Sequence, residues 1–374
     1  MKRQRIAILT PVGGSGGVQR VITNLANGLS EIGWPVDVLC ADGEENLPGL
    51  NQNIQLIDLG IRKSHGDLKL IFGYRAIKGR VRSVKYGAMI TAPGFAGQIG
   101  VLACRRISTK VVIMADNKIS LLKELDAMHR LQFCSAKMIY PKADAIVAAH
   151  DSALNDIKEN LPKANADLVR IYHPLIPGNV GDLMRKEPEV PVPDDAPVIV
   201  AAGRLVEEKD FDTLLEAFAI VRAKKPSYLL ILGDGPLKTS LEKHAQQLDV
   251  QDSVVFAGRV SNVYSIFARS DLFVLSSKRE AFGNVLIEAL ACGLPCVATR
   301  CASGGPQEIL EDGRLGILVD SGDTRALAQA IEQSLLQKDM GCAMRVSRSG
   351  GFGCKSSIEG YSALLERLTV GSFL

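Results

Sequence analysis

Two acids, Glu280 and Glu288, bracket the run Glu-Ala-Phe-Gly-Asn-Val-Leu-Ile-Glu. The apolar run 271–275 precedes them and reads as a buried strand. A helical pattern of Val285, Leu286, Ala289 and Leu290 follows and stops at Gly293. Glu280 is therefore expected in the loop beyond a strand's carboxyl end, and Glu288 inside the next helix. In an open α/β sheet, ligands bind outside those strand ends. Phe282, Gly283 and Asn284 open the helix, whose first backbone N–H groups have no intrahelical partner and can face an anion. Carboxylates accept from hydroxyls and N–H groups donate to phosphate, so the pattern suits a polyhydroxylated phosphate ester. A solvated loop acid beside a surface helix acid would give the same spacing, and the neighbouring residues have to decide.

Those neighbours are Gly203-Arg204-Leu205 and Lys209 upstream, and Gly304-Gly305-Pro306-Gln307-Glu308-Ile309 with Asp312-Gly313 downstream. In this order the segment resembles the E-x7-E element of retaining nucleotide-sugar glycosyltransferases of family 4, most like those of bacterial surface polysaccharides. The resemblance is specific across the C-terminal half and looser in the N-terminal half. It implies an α/β chain of the GT-B type: two doubly wound parallel-sheet (Rossmann-like) domains facing across a cleft. It also implies transfer of a sugar from a nucleoside-diphosphate donor to a hydroxyl of a glycan or lipid-linked acceptor.

Roles follow from the same resemblance. As the sugar–phosphate bond breaks, negative charge grows on the diphosphate, and fixed cations or a metal must stabilise it. Arg204 and Lys209 match the family's diphosphate element; Arg grips phosphate bidentately and Lys acts as a point charge. No metal is expected. Glu280 is assigned to the donor sugar and Glu288 to the ribose hydroxyls. Phe282 and the N–H groups of Gly283, Asn284 and Val285 are assigned to sugar or phosphate, and Arg259 and Val260 to the base. Gly16 and Gly17, in a glycine-rich turn, match a loop facing donor phosphate or acceptor. The expected donor is a nucleoside-diphosphate sugar, UDP over GDP, with no other cofactor. The usual front-face proposal, in which the leaving phosphate takes the acceptor proton, needs no nucleophile–acid pair of the glycosidase kind. One position departs from the family: many relatives carry His after the strand that here reads Val111-Val-Ile-Met-Ala-Asp116. Asp116 is the nearest match, with His150 and His173 at other strand ends. Two rivals stay open: a GT-B epimerase, which needs no acceptor, and a non-catalytic nucleotide-sugar-binding protein.

The elements that must hold these residues are legible as an alternation of strands and helices. Strands are expected at 5–10, 36–40, 54–59, 88–91, 110–114, 144–148 and 169–172, and again at 198–202, 228–233, 254–258, 271–275, 296–299 and 316–319. Helices between them predict parallel sheets covered on both faces. With 374 residues and 47% hydrophobic content, the chain can fill two cores. The expected domains are 1–175 for the acceptor and 198–355 for the nucleotide sugar. A proline- and acid-rich linker, 176–197, joins them, and a last helix in 356–374 is expected to cross back onto the first domain.

A net charge of +3 argues against nucleic acid. The eight cysteines form no CxxC pair and are expected to be reduced. No segment reaches the length of a spanning helix, so a cytoplasmic protein is expected. Within 62–86, however, Arg62, Lys63, Lys69, Arg75, Lys78, Arg80, Arg82 and Lys85 stand against one acid, Asp67. Leu70, Tyr74, Ile77, Val81 and Val84 share a helical face, with Arg75, Lys78, Arg82 and Lys85 in a stripe beside it and Lys69 and Arg80 on its other side. Either this helix packs on its own sheet with a solvated basic face, or it contacts an anionic membrane on the inner face of the plasma membrane.

Overall fold

The computed structural model describes residues 3–11, 17–41, 47–61, 72–125, 127–162, 165–337 and 341–370. Gly16 and the stripe residues Arg62, Lys63, Lys69 and Leu70 lie outside them. The chain divides into two compact units, Met1–Leu175 with Gly353–Leu374, and Ile176–Phe352.

The first unit carries β1 (Ile6–Thr10), β2 (Val36–Cys40), β3 (Gln55–Asp58), β4 (Ala88–Thr91), β5 (Lys110–Ala115), β6 (Ala145–Ala148) and β7 (Asp167–Arg170). They pair in parallel in the order β3-β2-β1-β4-β5-β6-β7. The order reverses between β1 and β4, which makes the crevice beyond their carboxyl ends the switch point of a doubly wound sheet. β1, β2, β4 and β6 are buried at every position, whereas the edge strands β3 and β7 are half-exposed.

The helices of this unit are α1 (Gly17–Glu31), α2 (Tyr74–Val84), α3 (Phe95–Cys104), α4 (Ala127–Ile139) and α5 (Asp151–Asn160). In α2, Ile77 and Val81 are fully buried and α2 packs on α3. The apolar face of the basic stripe thus docks on its own domain. Arg80 also turns inward, to the Tyr86 hydroxyl at 3.2 Å and to buried Asp37 at 3.5 Å. Arg75, Arg82 and Lys85 remain exposed, while Lys78 bonds the Tyr74 hydroxyl at 2.7 Å.

The second unit carries β8 (Val198–Ala202), β9 (Tyr228–Leu232), β10 (Val254–Gly258), β11 (Leu272–Leu275), β12 (Cys296–Thr299) and β13 (Ile317–Val319), in the order β10-β9-β8-β11-β12-β13. The reversal now falls between β8 and β11. Its helices begin with α6 (Val180–Arg185), α7 (Phe211–Lys224), α8 (Lys238–Gln247), α9 (Val263–Phe267) and α10 (Asn284–Ala291). They continue with α11 (Gly305–Ile309), α12 (Thr324–Leu336) and α13 (Cys342–Gly350). The core joins Leu214 and Phe218 of α7 and Leu327 and Ile331 of α12 to Ile199, Ile231 and Val274 of the sheet.

The proline-rich segment 176–197, expected as a linker, belongs to this unit. Its helix α6 packs on α9. The Asn262 side chain donates to the Leu183 carbonyl at 2.8 Å, and Ser261 and Asn262 N–H groups donate to the Glu189 carboxylate at 3.0 and 3.1 Å. Proline and charge mislead here because hydrogen bonds, not an apolar face, fix the segment. α13 was not expected either; it packs on α10, and its buried Arg345 donates to the Gly293 carbonyl at 2.8 Å.

The last helix, α14 (Cys354–Val370), belongs to the first unit and packs on α1. Gly28 makes the contact possible, since a Cβ there would lie 2.5 Å from Ile358 Cγ1. Trp34 Nε1 donates to Ser362 Oγ at 3.0 Å, and Arg3 and Arg367 pair with Glu366 and Asp167 at 2.7 and 2.8 Å.

Candidate active site

At the second unit's switch point, the loop after β8 meets the loop after β11. Lys209 ends a short 3-10 turn (Glu207–Lys209), and its ammonium is ion-paired with the Glu280 carboxylate. Ser277 Oγ donates to the same Glu280 oxygen at 3.3 Å. The two loops are laced further: Ser276 Oγ donates to the Lys209 carbonyl at 2.9 Å, and Arg279 pairs with Glu208 at 3.0 Å. Asp210, buried and left-handed at φ 49°, accepts from Lys278 Nζ at 2.9 Å and from Thr213 Oγ1 at 2.8 Å. The bond to Asp210 raises the Lys278 pKa above its ordinary value. Glu208 sits below the usual range, first through its own backbone N–H and then through Arg279 and Arg204.

Lys209, Lys278, Arg279, Glu208, Asp210 and Glu280 each have a partner of opposite sign. Among the described residues Arg204 is exposed and forms no ion pair. The turn therefore offers an exposed guanidinium outside any ion pair, near enough to Glu208 to help lower its pKa, beside an ammonium already held by a carboxylate. An ammonium has three N–H donors, so Lys209 can keep Glu280 and still donate to an incoming anion.

The helix after this loop opens as expected. Gly283 takes φ 109°, a conformation that strains any side chain, and a Cβ there would also press on Ile309 Cδ1 at 3.3 Å. Phe282 is buried edge-on against Phe352, with ring centroids 5.8 Å apart. Asn284 begins α10; its buried Oδ1 has no hydrogen-bond partner. Val285 is half-buried, and Glu288, one turn on, is buried with the Tyr264 hydroxyl 3.3 Å from Oε1. Arg259 and Val260 follow β10 at the sheet's edge, just before the Ser261–Asn262 turn that Glu189 anchors.

The structure thus brings Lys209, Glu280 and the start of α10 together at the β8 and β11 ends. Sequence reading missed Asp210, Ser276, Ser277 and Lys278, which hold Lys209 in place. The signal was present: three polar residues immediately after a fully apolar strand.

Gly17 and Asp116 lie in the first unit. Gly17 is the first residue of α1. Asp116 follows β5, and its Oδ1 lies 3.0 Å from His173 Nε2, yet lacks a hydrogen bond of good geometry. His173 and the Tyr361 ring of α14 are both buried, and His173 Nδ1 and the Tyr361 hydroxyl have no hydrogen-bond partner. Burial pushes the Tyr361 pKa up, with a smaller contribution from Asp116. His150, after β6, is fully buried; its Nδ1 accepts from Ala153 N–H at 3.2 Å and caps α5. Burial lowers its pKa to about 4, so the ring is neutral near pH 7 with its proton on Nε2.

Both halves of the chain are similar to known proteins. The family "Glycosyl transferases group 1" matches residues 184–346, and "Glycosyltransferase Family 4" matches residues 15–176. The lipopolysaccharide core biosynthesis glycosyltransferase LpsE of Rhizobium meliloti is 45% identical over 141 residues, 38% of this chain and 40% of that protein. The N-acetyl-alpha-D-glucosaminyl L-malate synthase of Bacillus anthracis is 30% identical over 60% of this chain and 59% of its own length. The chain thus spans about two fifths to three fifths of the length of these relatives. The solved structure of Anabaena Alr3699/HepE in complex with UDP-glucose is 19% identical, with a TM-score of 0.77 over 97% of this chain and 100% of that one. At that identity the likeness speaks for the fold, which is of the GT-B type. One family match falls on each sheet-bearing half, and together they assign the chain: it belongs to the family 4 glycosyltransferases.

Proposed function

We propose that this chain transfers a sugar, with retention of anomeric configuration, from a nucleoside-diphosphate donor to a hydroxyl of a glycan or lipid-linked acceptor in cell-surface polysaccharide synthesis. The observation that carries the reading is the Lys209–Glu280 pair at the switch point, with exposed Arg204 on the same loop and the open start of α10 after it. A diphosphate leaving group gains charge as the anomeric C–O bond breaks. Arg204 and Lys209 are the fixed cations that meet that charge, and no metal is required of them. Glu280 holds the Lys209 ammonium and accepts from a sugar hydroxyl. Glu288 accepts from the ribose, with Tyr264 fixing its carboxylate. The acceptor proton passes to the departing phosphate on the same face, which retains configuration.

HepE, of the same fold, was solved with UDP-glucose, and the donor proposed here is likewise a UDP-sugar. The LpsE relative, named for lipopolysaccharide core biosynthesis, supports a surface-polysaccharide acceptor. Among the described residues no helix is long and apolar enough to cross a membrane. The exposed Arg75, Arg82 and Lys85 of α2 suit an anionic lipid surface.

The test is a thermal-shift panel of UDP- and GDP-sugars, since a ligand of the folded state alone raises Tm. Turnover of the stabilising donor is then followed with and without a chelator. Binding of a UDP-sugar and chelator-resistant transfer are expected. Loss of activity in chelator, restored by magnesium or manganese, would remove the fixed-cation account. Epimerised donor without acceptor would point to the epimerase. Transfer to a small soluble acid, as the malate synthase's name describes for that enzyme, would replace the lipid-linked acceptor.

A further inference from the structure

The face of the first sheet that carries α2, α3 and α4 has an unusual surface. α3 packs against both α2 and α4 and is itself almost wholly buried. None of the three helices contains a single Asp or Glu. Between Tyr74 and Ala115 the chain has eight Lys and Arg and no acid, and Ala127–Lys142 adds Arg130, Lys137 and Lys142, again with no acid.

The outer face of α4 is apolar within this basic field. Phe133 and Ala136 anchor the helix inward. On the opposite side Ala127, Leu131, Cys134 and Met138 recur at helical spacing, and all four are exposed. Leu131 is 58% exposed, Met138 68% and the adjacent Met128 40%. A folded domain has every reason to turn such side chains inward, because each gains by leaving water. Here they form one stripe with Arg130 and Lys137, both exposed, along its border. Lys137 Nζ lies 5.6 Å from the Phe133 ring centroid, which holds the side chain at the border of the stripe.

We infer that α4 is the element that inserts into an anionic lipid surface. Leu131, Met138 and Met128 enter the acyl boundary, while Arg130 and Lys137, with Arg75, Arg82 and Lys85 of α2, meet the headgroups. Charge decides the occupant. An apolar stripe built for a second copy of this chain would bring two faces together in which Lys and Arg outnumber the acids, Glu124 being the exposed acid of the 3-10 turn beside α4, and like charges oppose that contact. An anionic bilayer offers both the apolar phase and the opposite charge. This divides labour between the two helices: α2, whose apolar face is already docked on its own domain, contributes attraction only, and α4 contributes insertion.

The inference deepens the proposed acceptor and rests on that reading for its purpose, but its test needs no donor and no turnover. The full chain is sedimented with phosphatidylcholine vesicles and with vesicles containing phosphatidylglycerol. Binding to the anionic vesicles alone is expected. The variant Leu131→Ser/Met138→Ser should lose at least about tenfold in partitioning, with Tm and donor thermal shift unchanged. Independently, Leu131→Trp should show a blue-shifted, lipid-quenched emission on anionic vesicles, against the constant signal of buried Trp34. Equal vesicle binding by wild type and the double-serine variant would overturn the insertion. So would a dimer in solution that the variant splits. If vesicle binding behaves as expected and no sugar is transferred, the surface stands and the reaction fails. If transfer proceeds without vesicle binding, the surface fails alone.

Discussion

The carboxyl ends of the two sheets are built from the same residue types and arranged in opposite ways. In the second unit, Lys209, Glu280, Lys278, Asp210, Arg279 and Glu208 pair off across two loops, and hydroxyls of Ser276 and Ser277 fill in between. In the first unit, the Asp116–His173 contact has poor hydrogen-bond geometry, and His173 Nδ1, the Tyr361 hydroxyl and Thr91 Oγ1 are buried without partners. An unmade buried hydrogen bond costs about 1–3 kcal/mol. The two loops of the second site are therefore laced before anything binds; what they leave open is the exposed Arg204 and, at the start of α10, the buried Asn284 Oδ1. The first site holds polar groups whose bonding is unfinished. Pre-organisation at the second site predicts large functional losses there; incompleteness at the first predicts tolerance of change.

The largest effect is expected at Lys209. Lys209→Ala removes a cation from the leaving diphosphate and leaves the Glu280 carboxylate uncompensated beside it. A fall in kcat of about 10²–10³, with a smaller change in KM, is expected from steady-state kinetics. If KM alone rises, Lys209 acts in the ground state only, and the contrast between the two sites weakens.

Next is Glu288→Gln, which keeps the shape and removes the charge. Hydrogen bonds to charged groups contribute about 1.5–3 kcal/mol, so donor Kd should rise roughly ten- to a hundredfold by calorimetry. An unchanged Kd would release Glu288 from the ribose and leave it as Tyr264's buried partner.

In the first unit the measurable effect is on stability and pH. His150 has its folded pKa depressed from 6.5 to about 4 by burial. Above about 6.5 the ring is neutral in both folded and unfolded chains, and its stabilising arrangement is fully present. As pH falls from there toward about 4, the unfolded chain takes up the proton and the folded chain does not. Stability from this group should decline by about 1.4 kcal/mol per pH unit across that window. His150→Asn keeps an N-capping side chain and should flatten the decline in urea titrations. An equal slope in the variant would assign the acid sensitivity elsewhere.

The smallest effect sharpens the comparison most. Tyr361→Phe deletes a buried hydroxyl that has no partner, so Tm should hold or rise, within about 1 kcal/mol of stability. A loss beyond that would mean the hydroxyl is bonded and the first site is as complete as the second.

How far these arrangements could be read from sequence depends on where their causes lie. β1, β8, β11 and the E-x7-E helix were legible because burial on both faces leaves continuous apolar runs, and Gly283 signals the turn that opens α10. Lys209 and Glu280 stood out by type, but their pairing across two loops depends on β8 and β11 being neighbours, which no local pattern records. α6 and α13 were missed for a related reason. Both are short, and both are held by contacts to distant elements, α9 and α10, rather than by an apolar period of their own. The α4 stripe was missed because an exposed apolar face and a buried one have the same periodicity.

The return of α14 to α1 has a consequence for how the chain is made. The second unit is one uninterrupted stretch, whereas the first unit is closed only when Ile358 meets Gly28 and Ser362 meets Trp34. On the ribosome, the second unit can therefore finish first, although it is translated second. Through that interval the uncovered side of α1 is apolar surface without its lid, open to association with other chains. Chaperone demand during synthesis should accordingly trace to the half that emerges earliest.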